Sequence, residues 1–309
     1  LPANTALERN DIMLNPRDPT IIANKKTISS FGESKSDYDI FSCLADKLGF
    51  LNSFTENKSE LDWLKYLWDE SKKVSEKMNL KLPEFDKFWE DGFFEVPIER
   101  TKKIMFKSFR DNPKINALNT PSGKIEITSN IIKNYNLKDC KGHPTWIEPY
   151  EWLGRKENFP LHLISNQPEY RLHGQLDNAE YSLKNKIKDR EPVLINIEDA
   201  KERNIENNDV VLIFNKRGRV LAGARLSDEI MRGVLVLSTG AWFDPDYEIN
   251  TDLHGNPNVL TKDVGTSQLS QAPTSHTCLV EIRKAKKNEI KKVKIFLKPK
   301  IQKKLEQKY

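Results

Sequence analysis

The chain has 309 residues, of which 37% are hydrophobic and 31% charged, and its formal net charge is +5 at pH 7. This length allows about two domains of ordinary size, and no apolar run approaches the roughly 20 residues of a membrane-spanning helix, so we expect a chain that does not cross a bilayer. Cys43, Cys140 and Cys278 form no CxxC pair, which argues against a zinc site, an iron–sulfur cluster and a complete set of disulfides.

Helices dominate the predictions for the first 80 residues. Residues 1–35 look like the end of an α/β unit followed by a surface excursion, because prolines and a glycine interrupt them. A helix should follow, with Ser36 or Asp37 as N-cap and Gly49 as stop, and a second helix should begin at Ser59. The apolar stripes of these helices are Ile40, Phe41, Leu44, Ala45 and Leu48, and then Leu61, Leu64, Leu67 and Trp68.

Loops and short strands are predicted between Leu82 and Pro149, where proline, glycine, asparagine and aromatic residues become frequent. One short helix is expected at Asp86–Asp91. The change of composition places a domain boundary near residues 150–158.

A buried strand that ends in a polar loop is predicted for Leu161–Asn178. The strand is short and apolar, and Asn166, Gln167 and Pro168 end it. The loop then brings amide, guanidinium and imidazole groups within a dozen residues, which is enough to hydrogen-bond a large polar ligand in several directions. For this stretch alone, satisfied surface residues are an equally good interpretation.

Several short strands follow, and they predict a β-barrel with polar loops at one rim. The predicted elements are strands at 193–197, 209–214, 219–226 and 233–238, a short helix at 198–204 and a hairpin turn at 215–218. Leu194, Leu212 and Val236 are expected in the core of this barrel.

A second polar stretch, Asp252–Val280, makes a family resemblance recognisable. SNQPEYRLHGQLDN at 165–178, GAWFDPD at 240–246, HGNPNVLTKDVGTSQLSQ at 254–271 and HTCLVEI at 276–282 resemble the C-terminal domain of the molybdopterin-dependent S- and N-oxide reductases. Upstream motifs such as DCKGHPTWIEPYEWLG at 139–154 extend the resemblance over nearly the whole chain, to about Arg283.

The resemblance implies an α+β architecture. The end of an α/β catalytic region, truncated here, would occupy 1–150 with helical and loop-rich excursions. A double-psi β-barrel that binds molybdopterin dinucleotide would occupy 151–283. A basic, lysine-rich tail would occupy 284–309.

The resemblance also implies the chemistry. Members of this family hold one molybdenum between two molybdopterin guanine dinucleotides and pass two electrons to an S-oxide or N-oxide, whose oxygen leaves as water. The residues expected to touch the cofactor are Ser165, Gln167, Arg171, His173 and Gln175 in the first loop, and Asn256, Asn258 and Gln271 in the second. The serine that ligates the metal lies in the N-terminal half of these enzymes, so no catalytic residue and no metal ligand is expected here.

A fragment is therefore expected, inactive alone, whose partners are the missing N-terminal half of the enzyme, a c-type cytochrome or quinol-linked donor, and a small S- or N-oxide. EWLG at 151–154 and the lack of a cluster motif favour the trimethylamine N-oxide or biotin sulfoxide type. A role in anaerobic respiration in the periplasm follows, with the export leader lost, although a cytoplasmic location is also possible.

The lysines after Arg283 leave several interpretations open. The segment could be a solvated extension that is dispensable for folding, a short edge strand or a docking segment. It could also bind nucleic acid or anionic lipid. A standalone barrel with a nucleic-acid-binding tail is the alternative function, but the clustering of amides in two separated loops favours the enzyme without a nucleic-acid partner.

Overall fold

A computed structural model describes residues 1–16, 18–97, 104–155 and 158–297. The chain folds as two compact units, Leu1–Asn116 and Ala117–Tyr309. The domain limits at 150 and 283 remain predictions. None of the helices in the described ranges is both long and apolar enough to span a bilayer.

The first unit combines helices with a small antiparallel sheet. Its helices are α1 (Asp37–Lys47), α2 (Leu51–Thr55), α3 (Glu60–Glu76), α4 (Phe85–Asp91) and α5 (Lys107–Asp111). Its strands β1 (Asp11–Leu14), β2 (Thr20–Asn24) and β3 (Phe93–Glu95) pair in that order. The hairpin of β1 and β2 lies within residues 1–35, for which the sequence predicted the end of an α/β unit followed by a surface excursion.

Local capping explains why the helices begin where the sequence predicts. The Ser36 hydroxyl accepts the backbone N–H of Asp39, and Ser59 forms a reciprocal capping box with Asp62. Gly49 has a φ of 80° just after α1 and so ends it, as predicted. The core behind α3 and α4 contains Ala23, Leu64, Trp68, Phe85 and Phe88.

The second unit is built mainly from short strands. Its strands are β4 (Leu161–Ile164), β5 (Pro192–Asn196), β6 (Val210–Phe214), β7 (Arg219–Ser227), β8 (Val234–Leu237), β9 (Pro245–Asp246), β10 (Thr251–Asp252) and β11 (Leu279–Lys284). Its helices are α6 (Asn130–Asn134), α7 (Glu180–Leu183) and α8 (Ile197–Lys201).

Six of these strands close into a barrel, which confirms the predicted architecture. The order is β5, β8, β4, β11, β6, β7, and β7 pairs again with β5. The pairs β4–β8 and β5–β7 are parallel, and the other pairs are antiparallel. The interior contains Leu161, Leu163, Val193, Ile195, Val211, Ile213, Val220, Ala222, Leu235, Leu237, Val280 and Ile282.

All three residues predicted for the barrel core, Leu194, Leu212 and Val236, lie outside the barrel interior. Leu194 and Val236 are half-buried and line a cavity of about 150 Å³ beside the loop that follows β4. Successive side chains of a strand point to opposite faces, and here the neighbours on both sides of each residue are the ones that fill the barrel. Leu212 is buried as predicted, but it packs outside the barrel interior with Leu221 and Leu253.

Residues 285–297 do not form the solvated tail that was predicted, while their being dispensable for folding remains a prediction. Ala285 and Val293 are buried in the cluster that contains Leu212, and Ile295 and Phe296 pack against it. The alternative of a docking segment is therefore the one that the structure supports. The remaining lysines of the predicted tail, Lys298, Lys300, Lys303, Lys304 and Lys308, lie outside the described residues.

Glu289 anchors this segment to the barrel. Both of its carboxylate oxygens accept hydrogen bonds from Arg283, at 2.8 and 2.6 Å, and Arg219 reaches the same carboxylate at 2.8 Å. The backbone N–H of Lys286 donates to it as well. The Arg283 hydrogen bonds are the main cause that lowers the pKa of Glu289 from 4.5 to about 2.

A carboxylate whose pKa is depressed by folding stabilises the fold above its unfolded pKa, and this stability is lost as the pH falls through the folded value. We therefore expect the melting temperature of the chain to fall between pH 4.5 and about 2 partly through Glu289. Glu289→Gln should lower the melting temperature at pH 7 and flatten its decline over that range. Calorimetry at several pH values measures this, with the exposed Glu229→Gln as control; parallel pH curves for the wild type and Glu289→Gln would contradict the assignment.

Candidate cofactor-binding site

The loop that follows β4 presents polar side chains to solvent. Gln167 and His173 are exposed, and Gln167 Nε2 lies 3.2 Å from His173 Nδ1. His173 has a φ of 49°, a left-handed conformation that turns the loop at this point. Gln175 is exposed two residues later, and Ser165 is half-buried directly after β4. The loop thus carries an amide–imidazole pair and a further amide on its outer side.

Arg171 points inward and shapes the loop. Its side chain is only 3% exposed. The guanidinium donates to the carbonyl oxygen of His173 at 3.0 Å and to that of Thr239 at 3.2 Å, and it pairs with Asp177 and Glu191. These contacts engage the side chain within the protein, so its clearest role is to hold the backbone that carries His173.

A buried charge network lies beneath this loop. It consists of Arg171, Lys186, Asp177 and Glu191, whose side chains are at most 6% exposed. Lys186 Nζ is 2.7 Å from Asp177 Oδ1 and 2.9 Å from Glu191 Oε2. Two positive and two negative charges compensate one another, which buried charges require because their desolvation is costly. The network fixes the loop to β5, which begins directly after Glu191.

His254 is fully buried next to this network. Its Nδ1 lies 2.9 Å from the carbonyl oxygen of Trp242, which can only accept, so Nδ1 carries the proton. Its Nε2 has no hydrogen-bond partner among the described residues. Burial lowers the pKa of His254, and the ammonium of Lys186 lowers it further. The imidazole is therefore neutral, with an unpaired acceptor atom inside the protein.

The start of the second polar stretch meets the first loop at this point. The Glu191 N–H donates to the His254 carbonyl oxygen at 2.9 Å, and the Trp242 N–H donates to Asp177 Oδ2 at 3.0 Å. Asp252 Oδ2 accepts the N–H groups of Gly255 and Asn256 at 2.9 and 2.8 Å. The second stretch is thus bonded to Glu191 of the buried network, and Trp242, which precedes this stretch, is bonded to Asp177 of the first loop.

The predicted residues of the second stretch are more scattered. The Asn256 side chain caps a 3₁₀ turn at Pro257–Val259 by accepting a hydrogen bond from the N–H of Asn258. The Asn258 side chain is exposed. Gln271 donates to the carbonyl oxygen of Ser267 in a separate loop. Within the described ranges, no hydrogen bond joins Asn258 or Gln271 to Gln167 or His173. Their role as one clamp remains a prediction.

Another cavity of the second unit lies away from this loop. It measures about 470 Å³ and is lined by residues between Glu126 and Ile147 together with Leu269. None of the predicted cofactor residues lines it. Since neither the charge network nor His254 reaches it, the exposed loop after β4 is the better candidate site.

Lys186, Glu191 and His254 were not among the site residues predicted from the sequence. Lys186 and Glu191 carry opposite charges five residues apart and stand just before the apolar strand β5. This pattern in the sequence indicates that the two charges could pair in a buried position. His254 stands in the HGNPN motif that carried the resemblance, but only its asparagines were assigned. Asp177 belongs to the first polar loop, and its burial was likewise not predicted.

Comparison with known proteins identifies relatives of this chain and a family that matches its barrel region. Residues 161–279 match the molydopterin dinucleotide binding domain family. The chain is 41% identical to the biotin sulfoxide reductase of Cereibacter sphaeroides over 91% of this chain and 38% of that protein. It is also 41% identical to the trimethylamine-N-oxide reductase of Haemophilus influenzae, over 92% of this chain and 36% of that protein.

A solved structure shows the same fold. Acetylene hydratase from Pelobacter acetylenicus superposes with a TM-score of 0.65 over 92% of this chain and 38% of its own, at 17% sequence identity. The barrel is thus that of a molydopterin dinucleotide-binding domain. The predicted resemblance to the molybdopterin-dependent S- and N-oxide reductases is confirmed over nine-tenths of the chain, which spans little more than a third of the length of these relatives.

Proposed function

We propose that this chain supplies cofactor-binding loops to a molybdoenzyme that reduces an S-oxide or N-oxide, such as trimethylamine N-oxide, dimethyl sulfoxide or biotin sulfoxide. The observation that carries the proposal is the exposed Gln167–His173 pair, held on a buried charge network at the loop of a dinucleotide-binding barrel. Relatives that bear these three activities in their names cover nine-tenths of the chain.

The residues present fit a molybdopterin guanine dinucleotide. A pterin offers many hydrogen-bond donors and acceptors at its edge, and the loop offers the amides of Gln167 and Gln175 and the imidazole of His173. The buried charges beneath are already paired, so the surface is polar without an unpaired buried ion. When bound, two such dinucleotides around one molybdenum would supply the two-electron transfer of an oxygen atom.

The chain's own residues would bind the dinucleotide and orient it. Gln167 contacts Nδ1 of His173, which leaves Nε2 of that ring to face a ligand. Arg171 fixes the backbone of His173 from below. We assign no catalytic residue and no metal ligand to this chain, and we propose that the remaining part of a longer polypeptide provides them.

We extend the proposal to the physiological setting that the family resemblance implies. The partner for electrons would be a c-type cytochrome or a quinol-linked donor, and the compartment the periplasm. The alternative of a nucleic-acid-binding tail is weakened because residues 285–297 pack against the barrel.

Replacing His173 tests the assignment of the loop. The 309-residue chain should bind molybdopterin guanine dinucleotide released from a purified molybdoenzyme. His173→Ala should weaken this binding roughly five- to 150-fold, because it removes a hydrogen bond worth about 1–3 kcal/mol. Isothermal titration calorimetry measures the affinity. His143→Ala, an exposed histidine at the large cavity, is the control; equal affinities for His173→Ala and the wild type would contradict the proposal.

A further inference from the structure

The C-terminal segment of residues 285–297 contacts the backbone that carries the second polar stretch. The N–H groups of Lys294 and Ile295 donate to Asp244 Oδ2 at 2.5 and 3.2 Å. The N–H of Asp244 in turn donates to Asp252 Oδ1 at 2.7 Å. Since Asp252 also accepts the N–H of Gly255, a continuous series of hydrogen bonds leads from the C-terminal segment to the second stretch.

Phe296 lies beside His254 and the buried network. Its ring packs edge to face against His254, with centroids 4.8 Å apart and an interplanar angle of 87°. The Trp242 ring lies 5.7 Å away, and Lys186 Nζ is 5.9 Å from the Phe296 centroid. The Phe296 ring thus packs against His254 of the second stretch and against Trp242, which precedes this stretch, and it lies near Lys186 beneath the first loop.

Further contacts hold the segment in this position. Arg190, which is buried, donates to the carbonyl oxygen of Lys291, and Lys291 Nζ lies 3.1 Å from Asp246. Together with the Glu289 anchor, these contacts fix the segment before it reaches Phe296. The segment is therefore tied to the barrel at several points along its length.

We propose that residues 285–297 form a strap that positions both polar loops, and that Phe296 is its positioning residue. This inference rests on the proposed function, because the two loops are the proposed cofactor-binding surface. Its physical basis is the exclusion of water: the ion pairs of Lys186 and the hydrogen bond from His254 Nδ1 are stronger in a dry environment. Removing the Phe296 ring would let water reach the Lys186 ion pairs and the His254 hydrogen bond, and would thereby weaken these interactions.

Three variants of the 309-residue chain separate the strap from general packing. Phe296→Ala removes the ring, Phe296→Leu keeps part of the apolar cover, and Leu297→Ala truncates the neighbouring side chain, which is 58% exposed. Hydrogen exchange followed by mass spectrometry should be at least tenfold faster in Phe296→Ala at residues 165–179 and 240–256. Leu297→Ala should match the wild type, and Phe296→Leu should lie between them.

A second readout reports on His254 itself. Its pKa, measured by NMR titration, should rise towards the ordinary value in Phe296→Ala and stay unchanged in Leu297→Ala, because water then reaches the imidazolium. The charged groups that face this ring are Lys186, Asp177 and Asp252, and all remain in every variant. A merely structural loss of packing far from the ring would not move this pKa.

The outcomes are distinguishable. Faster exchange confined to residues 285–297, or equal effects of Phe296→Ala and Leu297→Ala, would overturn the strap; if Phe296→Ala fails to fold, Phe296→Leu against Leu297→Ala decides. Dinucleotide affinity should fall at least fivefold in Phe296→Ala. If the wild-type chain binds no dinucleotide, the proposed function fails, while the exchange and titration results still decide the strap.

Discussion

Lys186→Met is expected to destabilise the second unit by about 3–5 kcal/mol, the usual cost of removing one partner from a buried ion pair. Lys186 is the closest cation to both Asp177 and Glu191, and without it Arg171 alone faces two buried carboxylates. Methionine preserves much of the volume of lysine, so the charge is the main change. Urea denaturation followed by circular dichroism measures the free energy of unfolding.

Lys184→Met is the matched control for this experiment. Lys184 also pairs with a carboxylate, Glu180, at 2.7 Å, but both side chains are exposed. An exposed pair of this spacing contributes about 0.3–0.5 kcal/mol. The double variant Lys186→Met/Glu191→Gln restores the balance of charge and should recover part of the loss. Similar effects of Lys186→Met and Lys184→Met would show that the network does not stabilise the fold.

Local signals made much of the fold predictable. The caps Ser36 and Ser59 and the hairpin turn at 215–218 depend on contacts between residues a few positions apart, which a sequence displays directly. Five of the six barrel strands were recognisable as short runs between turn residues, whereas β11 was not predicted. These five strands therefore needed no information from distant parts of the chain.

What the sequence did not reveal depends on distant contacts. In β5 and β8 both faces are apolar, so the alternation that tells inside from outside is missing, and Leu194 and Val236 were assigned to the wrong face. The lysines of residues 284–297 hid the apolar side chains that dock on β6 and β7. The candidate loop was visible as a polar stretch, but the buried role of Arg171 depends on Glu191 and Thr239, far along the chain.

Gly240→Ala is expected to have the other large effect, because it disturbs the backbone beneath His173. Gly240 has a φ of 90°, and an added Cβ would lie 2.0 Å from the His173 carbonyl oxygen and 2.7 Å from the Gly174 nitrogen. Backbone atoms cannot move aside as a flexible side chain does, so the loop must shift. We expect a loss of about 2–5 kcal/mol, since a left-handed conformation costs roughly 1–2 kcal/mol and overpacking adds about 1–3.

Gly233→Ala separates these two costs. Gly233 has a similar φ of 80°, but the nearest atom to its added Cβ is Leu153 Cδ2 at 3.7 Å, an ordinary contact. Urea denaturation should therefore show the smaller, conformational loss for Gly233→Ala and the larger loss for Gly240→Ala. Only Gly240→Ala should also speed the hydrogen exchange of residues 165–179. Equal losses in the two variants would mean that the close approach of Gly240 to His173 does not hold the loop, and the proposed site would then need another support.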